Sequence, residues 1–219
     1  MDDLNTAGPL LDVPYFRQTR TATCGPACLM MVMKYWEPTF EFSRHIEFQL
    51  WLESFSFFLF GGTFQFGLAT AAKKRGFNTA IYQKSHFSAY YSSYPRVAGL
   101  IENIVSRKAY AAKIPIYSDQ PILEVIQHSL QRKIPLIVFV NLKPILGENV
   151  FHWVVVTGVD IKNMYVNDPY VPLGFPTGKK KNFPVSLEIF QKAISTDAGR
   201  NLRLPPYIVV VFKDKHQHF

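Results

Sequence analysis

The chain has 219 residues and a mass of 25.1 kDa, a length that suits one domain or two small lobes around a shared cleft. Apolar residues make up 48% of the sequence, enough for a hydrophobic core, and this composition excludes a disordered chain, a collagen and a disulfide scaffold. Lysine and arginine total 24 against 16 acidic residues, so the formal net charge of +8 favours acidic partners without specifying their class.

The first part of the sequence, about residues 12–132, is predicted to be mainly helical. Residues 12–16 read as a short extended segment, and the apolar run CGPACLMMVMKYW predicts a central, buried helix over Cys24–Trp36 that Pro38 closes. Further apolar periodicities predict a strand at 79–82 and four more helices, at 45–60, 63–75, 96–112 and 119–132.

The second part, about residues 133–213, changes to β-branched and aromatic runs separated by Pro, Gly, Asn and Asp. These runs, IPLIVFV, FHWVVVTGV, MYVND and YIVVVF, predict strands, and one helix at Leu187–Ile194 with Ser186 as its cap interrupts them. Helices followed by strands, without βαβ alternation, indicate an α+β fold with an antiparallel sheet. We expect a single domain over residues 1–219.

The sequence also predicts the compartment. Cys24 and Cys28 are the only cysteines, and their spacing on one predicted helix is a poor geometry for a disulfide, which favours a reducing environment. Residues 1–16 lack the basic and apolar regions of a secretory signal. The longest uncharged stretch, residues 54–72, contains three glycines and does not predict a membrane span. We expect a soluble cytoplasmic protein, with no prediction of its oligomeric state.

Cys24 is the first candidate for chemistry. It lies where a polar loop meets the start of the buried helix, and the unpaired N–H groups of a helix N-terminus favour a thiolate. A buried structural cysteine is the alternative. Cys28, one turn further along, is predicted to belong to the core.

A cysteine nucleophile needs a base, and His152 is the histidine that opens a predicted strand. The alternative for His152 is a packed or hydrogen-bonded strand residue. The other five histidines fall in predicted helices, a loop or the C-terminal tail: His45, His128, His86, His216 and His218.

Asp168 is the candidate that could orient this histidine. A hairpin that reverses near Asp160 would put Asp168 and His152 opposite each other on one face of the sheet. Asn167 competes for the same role, although two-residue alternation points it to the other face.

Gln18 precedes Cys24 by six residues, close enough for its amide to donate to an oxyanion beside the thiol. A solvated loop glutamine is the alternative.

Together, Gln18, Cys24-Gly25-Pro26-Ala27, His152-Trp153-Val154-Val155 and Asn167-Asp168-Pro169 resemble the papain-like peptidases that process double-glycine bacteriocin leaders, especially their free-standing relatives. The resemblance implies a papain-like fold. It implies Cys24 as nucleophile, His152 as base, Asp168 as its orienter and Gln18 as oxyanion donor. Thr23 departs from the acidic residue that usually precedes the cysteine in this family.

The sequence therefore predicts a thiol protease that hydrolyses peptide or related amide bonds through a catalytic triad, with no cofactor or metal. Its partner would be a peptide or protein substrate, possibly acidic. Transfer of the acyl group to an amine and a catalytically silent peptide-binding module are the alternatives. The spacing of Cys24 and Cys28 is a weak zinc signal, and no nucleotide-binding motif is present.

Two further patterns carry no chemistry on their own. The aromatic segment 54–66 could be core or a binding surface. The run Lys179, Lys180 and Lys181 is predicted to be a solvated turn, and no nucleic-acid-binding motif accompanies it.

Overall fold

A computed structural model of the chain describes residues 8–54, 62–84, 95–170, 180–194 and 206–213. Within these ranges the chain forms seven helices, which are α1 (Cys24–Trp36), α2 (Arg44–Ser54), α3 (Gln65–Lys74), α4 (Pro95–Ala111), α5 (Ile122–Gln131), α6 (Lys143–Leu146) and α7 (Leu187–Ile194). It also forms seven strands, which are β1 (Asn78–Gln83), β2 (Ile116–Tyr117), β3 (Leu136–Asn141), β4 (Phe151–Val159), β5 (Asn163–Asn167), β6 (Phe183–Ser186) and β7 (Tyr207–Phe212). The α+β prediction is confirmed.

The strands form one sheet in the order β2-β1-β7-β3-β4-β5-β6. All neighbouring pairs are antiparallel except β1 and β2, which run parallel. The sheet is antiparallel as predicted except for this one parallel pair at its edge, where the short strand β2 follows the crossover helix α4. β1 and β2 belong to the part of the sequence expected to be mainly helical, and the two-part division stays a prediction.

Helix α1 lies in the core because its apolar residues surround the helix instead of following one stripe. Every residue of α1 from Cys24 to Met33 is buried, and the helix packs against β4, β3 and β7. At its C-terminal end, Trp36 donates its indole N–H to the carbonyl of Val211 in β7, at 2.7 Å. This packing fixes the N-terminus of α1 relative to the middle of the sheet.

The predicted boundaries are most accurate for the helices α1 and α7. α1 and α7 have the predicted bounds, and Ser186 caps α7 by accepting the N–H of Ile189 at 3.3 Å. α2 begins one residue before the prediction, at Arg44, and is described as far as Ser54, while the predicted continuation over residues 55–60 lies outside the described residues. α5 begins three residues later than predicted, after Pro121.

The described part of the aromatic segment 54–66 belongs to the interior. Phe64 and Phe66 are buried, and Phe66 packs into the main core. Its remaining phenylalanines lie outside the described residues, as do His86, Lys179, His216 and His218. Among the described helices, none combines the length and the apolar character needed to cross a membrane.

Candidate active site

Cys24 is the first residue of α1 and is 9% exposed. The loop that leads into Cys24 is held in place by Glu47 of α2, a buried carboxylate. Glu47 accepts hydrogen bonds from the hydroxyl of Thr23 at 2.5 Å and from the backbone N–H of Thr19 at 2.8 Å. This carboxylate ties the loop before α1 to α2, and it places an acidic side chain beside Thr23.

His152 is the second residue of β4 and is 4% exposed. It pairs with Val140 of β3, and the pairing of β4 with β5 on the other side begins at Val155. Its Nε2 lies 2.8 Å from Oδ1 of Asp168. The other ring nitrogen, Nδ1, is the atom left for the hydrogen bond that joins His152 to the thiol of Cys24.

The contact between the sulfur and the imidazole favours the charged form of both groups. Burial opposes ionisation of the Cys24 thiol, but the positive charge and hydrogen bond of His152, helped by the backbone N–H groups of Trp153 and Gly25, hold the pKa of Cys24 below its ordinary value. Burial likewise opposes protonation of His152, but Asp168 and Cys24 outweigh it and raise the pKa of His152 to about 10. The contact therefore favours a thiolate paired with an imidazolium.

Asp168 follows β5 and is 3% exposed. Burial opposes its ionisation, but the charges of His152 and Lys180 and several hydrogen bonds keep the pKa of Asp168 below its ordinary value. Its Oδ1 also accepts the N–H of Tyr170 at 2.9 Å, and its backbone carbonyl accepts the hydroxyl of Tyr15 at 2.9 Å. These contacts fix the carboxylate in the orientation that faces the imidazole.

The predicted hairpin forms, but its register differs. The turn lies between Val159 and Met164, and the pairing shifts at a bulge around Thr157. Val155 pairs with Asn167, so Asp168 is level with Val154 instead of His152. The prediction that His152 and Asp168 lie directly opposite is therefore wrong, because the turn lies later than Asp160; the bulge then shifts the pairing back by one residue, which places Asp168 on the same face as His152. Asp168 reaches His152 diagonally on the same face.

Asn167 does not take the orienting position. Its amide donates to the carbonyl of Val13 at 3.1 Å, and its Oδ1 accepts the N–H of Asn182 at 2.7 Å. Both of these partners lie in the segments that flank β5 in the fold. Asn167 therefore anchors the N-terminal segment to the sheet, as strand alternation predicts for a residue on the opposite face.

Lys180 is a site residue that the sequence did not reveal. It is 1% exposed, and its Nζ lies 3.1 Å from Oδ2 of Asp168. The prediction of a solvated turn is wrong for Lys180 because the ion pair and the ring of Phe183, 5.1 Å from Nζ, hold the side chain inside. Lys181 does reach the surface, where it pairs with Asp12 at 2.6 Å. No local signal in KKK distinguishes the buried lysine.

Gln18 lies in the loop before α1, but its amide faces that loop. Its Nε2 donates to the carbonyls of Arg20 at 2.9 Å and Thr21 at 3.3 Å. Both amide hydrogens are thus engaged, and one has to be released before Gln18 can donate to an oxyanion at Cys24. The oxyanion role of Gln18 stays a prediction.

Cys28 occupies the core, one helical turn beyond Cys24. It is fully buried, and its thiol donates to the carbonyl of Trp153 at 3.2 Å. Burial, with the nearby charges of Cys24 and Asp168, raises the pKa of Cys28 well above its ordinary value. The two cysteines are free thiols with opposite environments.

A family model described as the Peptidase_C39 like family matches residues 13–201, a range that contains Gln18, Cys24, His152 and Asp168. The chain belongs to this family. The resemblance to double-glycine leader peptidases and their free-standing relatives is confirmed at the level of the family. The family match does not test individual residues, so the functional roles of Gln18, Cys24, His152 and Asp168 in this C39-like chain stay predictions.

One solved structure with a TM-score above 0.5 has the same fold, and two others match with lower scores. A C39-like peptidase from Bacillus anthracis matches with a TM-score of 0.54 and 16% identity, covering 94% of this chain and 98% of that one. The peptidase domain of Streptococcus ComA, a bi-functional ABC transporter involved in quorum sensing, matches with a TM-score of 0.48 and 21% identity, covering 91% and 97%. A double glycine motif protease from an AMS/PCAT transporter, in complex with the leader peptide, matches with a TM-score of 0.48 and 15% identity. The match covers 94% of this chain and 99% of that one. No curated protein matches the chain.

Beside the loop before α1, the C39-like chain has a positively charged pocket of about 360 Å³. Arg20 from this loop and Arg44 from the start of α2 line it, together with Thr19, His45 and Phe48. The guanidinium of Arg20 lies 5.6 Å from the centre of the Phe48 ring. Within the described ranges neither arginine has a carboxylate partner. We call these five residues the arginine pocket.

Proposed function

We propose that the protein is a cysteine peptidase that hydrolyses peptide or related amide bonds. Cys24 is the nucleophile, His152 the base and Asp168 the group that orients it. The observation that carries the proposal is the row of contacts from the thiol of Cys24 through His152 to Asp168, with 2.8 Å between Nε2 and Oδ1. Membership of the C39-like family supports the same reaction class.

In the first half of the proposed reaction, the Cys24 thiolate attacks the carbonyl carbon of the scissile bond. The backbone N–H of Cys24, at the first position of α1, has no partner within its helix and is available to the oxyanion. Gln18 adds a second donor once one of its amide hydrogens leaves the carbonyls of Arg20 and Thr21. The C–N bond then breaks, and the His152 imidazolium gives its proton to the leaving amine.

The second half needs His152 in its neutral form. Water attacks the thioester carbonyl and transfers a proton to the imidazole. The C–S bond then breaks, which releases the carboxylic acid and restores the thiolate and imidazolium of Cys24 and His152. An amine in place of water would make the same acyl-enzyme a transferase.

The arginine pocket supports an acidic peptide as substrate. It lies next to the loop that carries Gln18 and leads into Cys24, and the net charge of the chain is +8. Glu47, which precedes Phe48 in α2, is buried and directs its oxygens to Thr19 and Thr23 instead of to the guanidinium groups of the pocket. A carboxylate on the substrate would complete bidentate contacts with a guanidinium.

The test is covalent labelling. The wild type, Cys24→Ser and His152→Ala variants are treated at pH 6 with iodoacetamide and with an epoxysuccinyl thiol-protease inhibitor, and the adducts are mapped by mass spectrometry. At this pH an ordinary thiol with a pKa of about 8.5 is only ~0.3% ionised. We expect rapid labelling of Cys24 in the wild type and a loss of up to about 100-fold in His152→Ala.

Cys28 is the matched control inside the same helix, because it has the same chemistry without the imidazole. Labelling at Cys28 but not at Cys24 would remove the proposed mechanism. Slow labelling of Cys24 in the wild type would instead favour a silent peptide-binding module. Product analysis with and without an added amine then separates hydrolysis from acyl transfer.

A further inference from the structure

Lys180 is a buried cation that contacts the carboxylate behind the imidazole. Its side chain is 1% exposed, and its Nζ lies 3.1 Å from Oδ2 of Asp168. Removing an ammonium group from water is costly, so such a lysine is stable only against a negative partner. The backbone adds a second connection, because the N–H of Asp168 donates to the carbonyl of Lys180 at 3.1 Å.

The two oxygens of Asp168 have different partners. Oδ1 accepts from Nε2 of His152 at 2.8 Å and from the N–H of Tyr170 at 2.9 Å, whereas Oδ2 faces Lys180. One oxygen therefore serves the imidazole and the other serves the ammonium. The carboxylate cannot rotate away from His152 without also breaking its ion pair with Lys180.

Counting charges shows what the lysine adds. With Cys24 and His152 in their ion-pair form, the row contains a thiolate, an imidazolium, a carboxylate and an ammonium, whose charges sum to zero. In the acyl-enzyme the sulfur is neutral and His152 has given up its proton, so the carboxylate and the ammonium again sum to zero. Without Lys180 the carboxylate would be an unbalanced buried charge in the acyl-enzyme, and the imidazole would keep its proton to compensate.

We infer that Lys180 is a positioning residue that keeps Asp168 ionised and oriented while His152 changes between its protonated and neutral forms, so that the neutral imidazole is available as base for hydrolysis of the acyl-enzyme. The inference rests on the proposed function, and it places the effect of Lys180 in the second half of the reaction, the hydrolysis of the acyl-enzyme.

The other ionisable groups around Asp168 do not duplicate this charge. Tyr15 from the N-terminal segment and Cys28 from α1 interact with Asp168, and burial raises the pKa of both, so both are neutral in the working range of pH. Tyr170, whose ring centre lies 6.1 Å from that of His152, contacts Asp168 through its backbone. The cations described against this carboxylate are His152 and Lys180.

The test measures the protonation of His152 directly, without turnover. In the full chain carrying Cys24→Ala, which removes the thiolate as acylation does, His152 is titrated by NMR. Lys180→Met is added to remove the charge, Lys180→Arg to keep it, and Lys181→Met as the matched control at the exposed neighbour. We expect Lys180→Met to raise the pKa of His152 by about one unit or more, and the other two variants to leave it unchanged.

A second measurement follows the reaction, with Cys24 intact and p-nitrophenyl acetate as the probe. The burst of nitrophenol reports acylation and the steady rate reports hydrolysis of the acyl-enzyme. Lys180→Met should move the acidic limb of the steady rate to higher pH by the same shift and should change the burst less. Lys180→Arg should restore the wild-type profile.

The outcomes separate this inference from the proposed function. An unchanged His152 titration in Lys180→Met overturns the inference, whether or not the protein hydrolyses a substrate. Absence of turnover by the wild type, with the titration shifted as expected, overturns the peptidase and leaves the role of Lys180 intact. Lys180→Gln, which keeps a donor for Asp168, replaces Lys180→Met if that variant does not fold. Failure of both to fold would make Lys180 purely structural and overturn the inference.

Discussion

Gly25, the residue after the proposed nucleophile, has no room for a side chain. A Cβ at this position would lie 2.2 Å from Oγ1 of Thr63 and 3.1 Å from both terminal methyl groups of Leu68. Because nonbonded heavy atoms pack at about 3.5 Å, Gly25→Ala requires a displacement of about 1 Å. Thr63 cannot move freely, since it is 2% exposed and its carbonyl accepts the indole N–H of Trp153 at 3.0 Å. We expect the start of α1 to move instead.

The size of the effect follows from this displacement. Overpacking of a core costs about 1–3 kcal/mol, which for a chain of this length lowers the Tm by about 2–4 °C for each kcal/mol. A misplacement of about 1 Å at a reacting group costs roughly 100-fold in rate. Gly25→Ala should therefore lower the Tm by several degrees and slow the labelling of Cys24 much more than its stability loss alone would imply.

The assay compares Gly25→Ala, Thr63→Ala and the double variant by thermal denaturation and by iodoacetamide labelling of Cys24 at pH 6. Thr63→Ala removes the atom that the new methyl group meets, so the double variant should recover most of both losses. Wild-type labelling and Tm in Gly25→Ala, or no recovery in the double variant, would refute the steric reasoning. Thr63→Ala alone is the control for loss of the hydroxyl.

Three further predictions concern charged groups. Glu47→Gln leaves a donor facing the N–H and hydroxyl donors that Glu47 accepts, so the free energy of unfolding should fall by about 1–3 kcal/mol, measured with urea. Replacing Arg20 and Arg44 by Ala should raise the KM for acidic peptides and leave neutral ones unchanged. Because the folded-state pKa of Asp168 is lowered, its carboxylate stabilises the fold above about pH 4, and this contribution is lost as the pH falls through the folded-state pKa. The unfolding free energy of Asp168→Asn should therefore depend less on pH in that range than the unfolding free energy of the wild type.

Each of these predictions has a control and a contradicting result. Glu188 pairs with Lys192 at the surface, and the unfolding free energy of Glu188→Gln should stay within about 0.5 kcal/mol of the wild type. If Glu47→Gln has as small an effect as Glu188→Gln, Glu47 does not stabilise the loop before α1. Equal KM changes for acidic and neutral peptides would exclude the arginine pocket as an acidic subsite. An unaltered acid unfolding profile in Asp168→Asn would contradict the ion pairs of Asp168.

The sequence predicts those elements whose signals are local. α1 and α7 have the predicted bounds because a polar approach or cap and an apolar run define each of them. The short elements were missed: β2 has two residues, α6 has four and β6 contains Pro184. Such segments take their conformation from the strand or helix they pack against, which no local window contains.

The same limit applies to the candidate site. Cys24 and His152 are recognisable because each opens a strongly patterned helix or strand. Their distance in space depends on long-range pairing, and the bulge at Thr157 that sets the position of Asp168 leaves no clear signal in the sequence. Lys180 is a member of a run of identical residues, so its burial follows only from the fold.

The position of β7 has a consequence for biosynthesis. β7 is the last of the described strands, yet it lies between β1 and β3, and Val211 within it accepts the hydrogen bond of Trp36. A nascent chain that has emerged only as far as residue 200 therefore has two unjoined halves of a sheet, each with an open edge. β7 joins the β1–β2 pair to strands β3–β6, so the seven-stranded sheet is completed only once residues 207–212 have been synthesised.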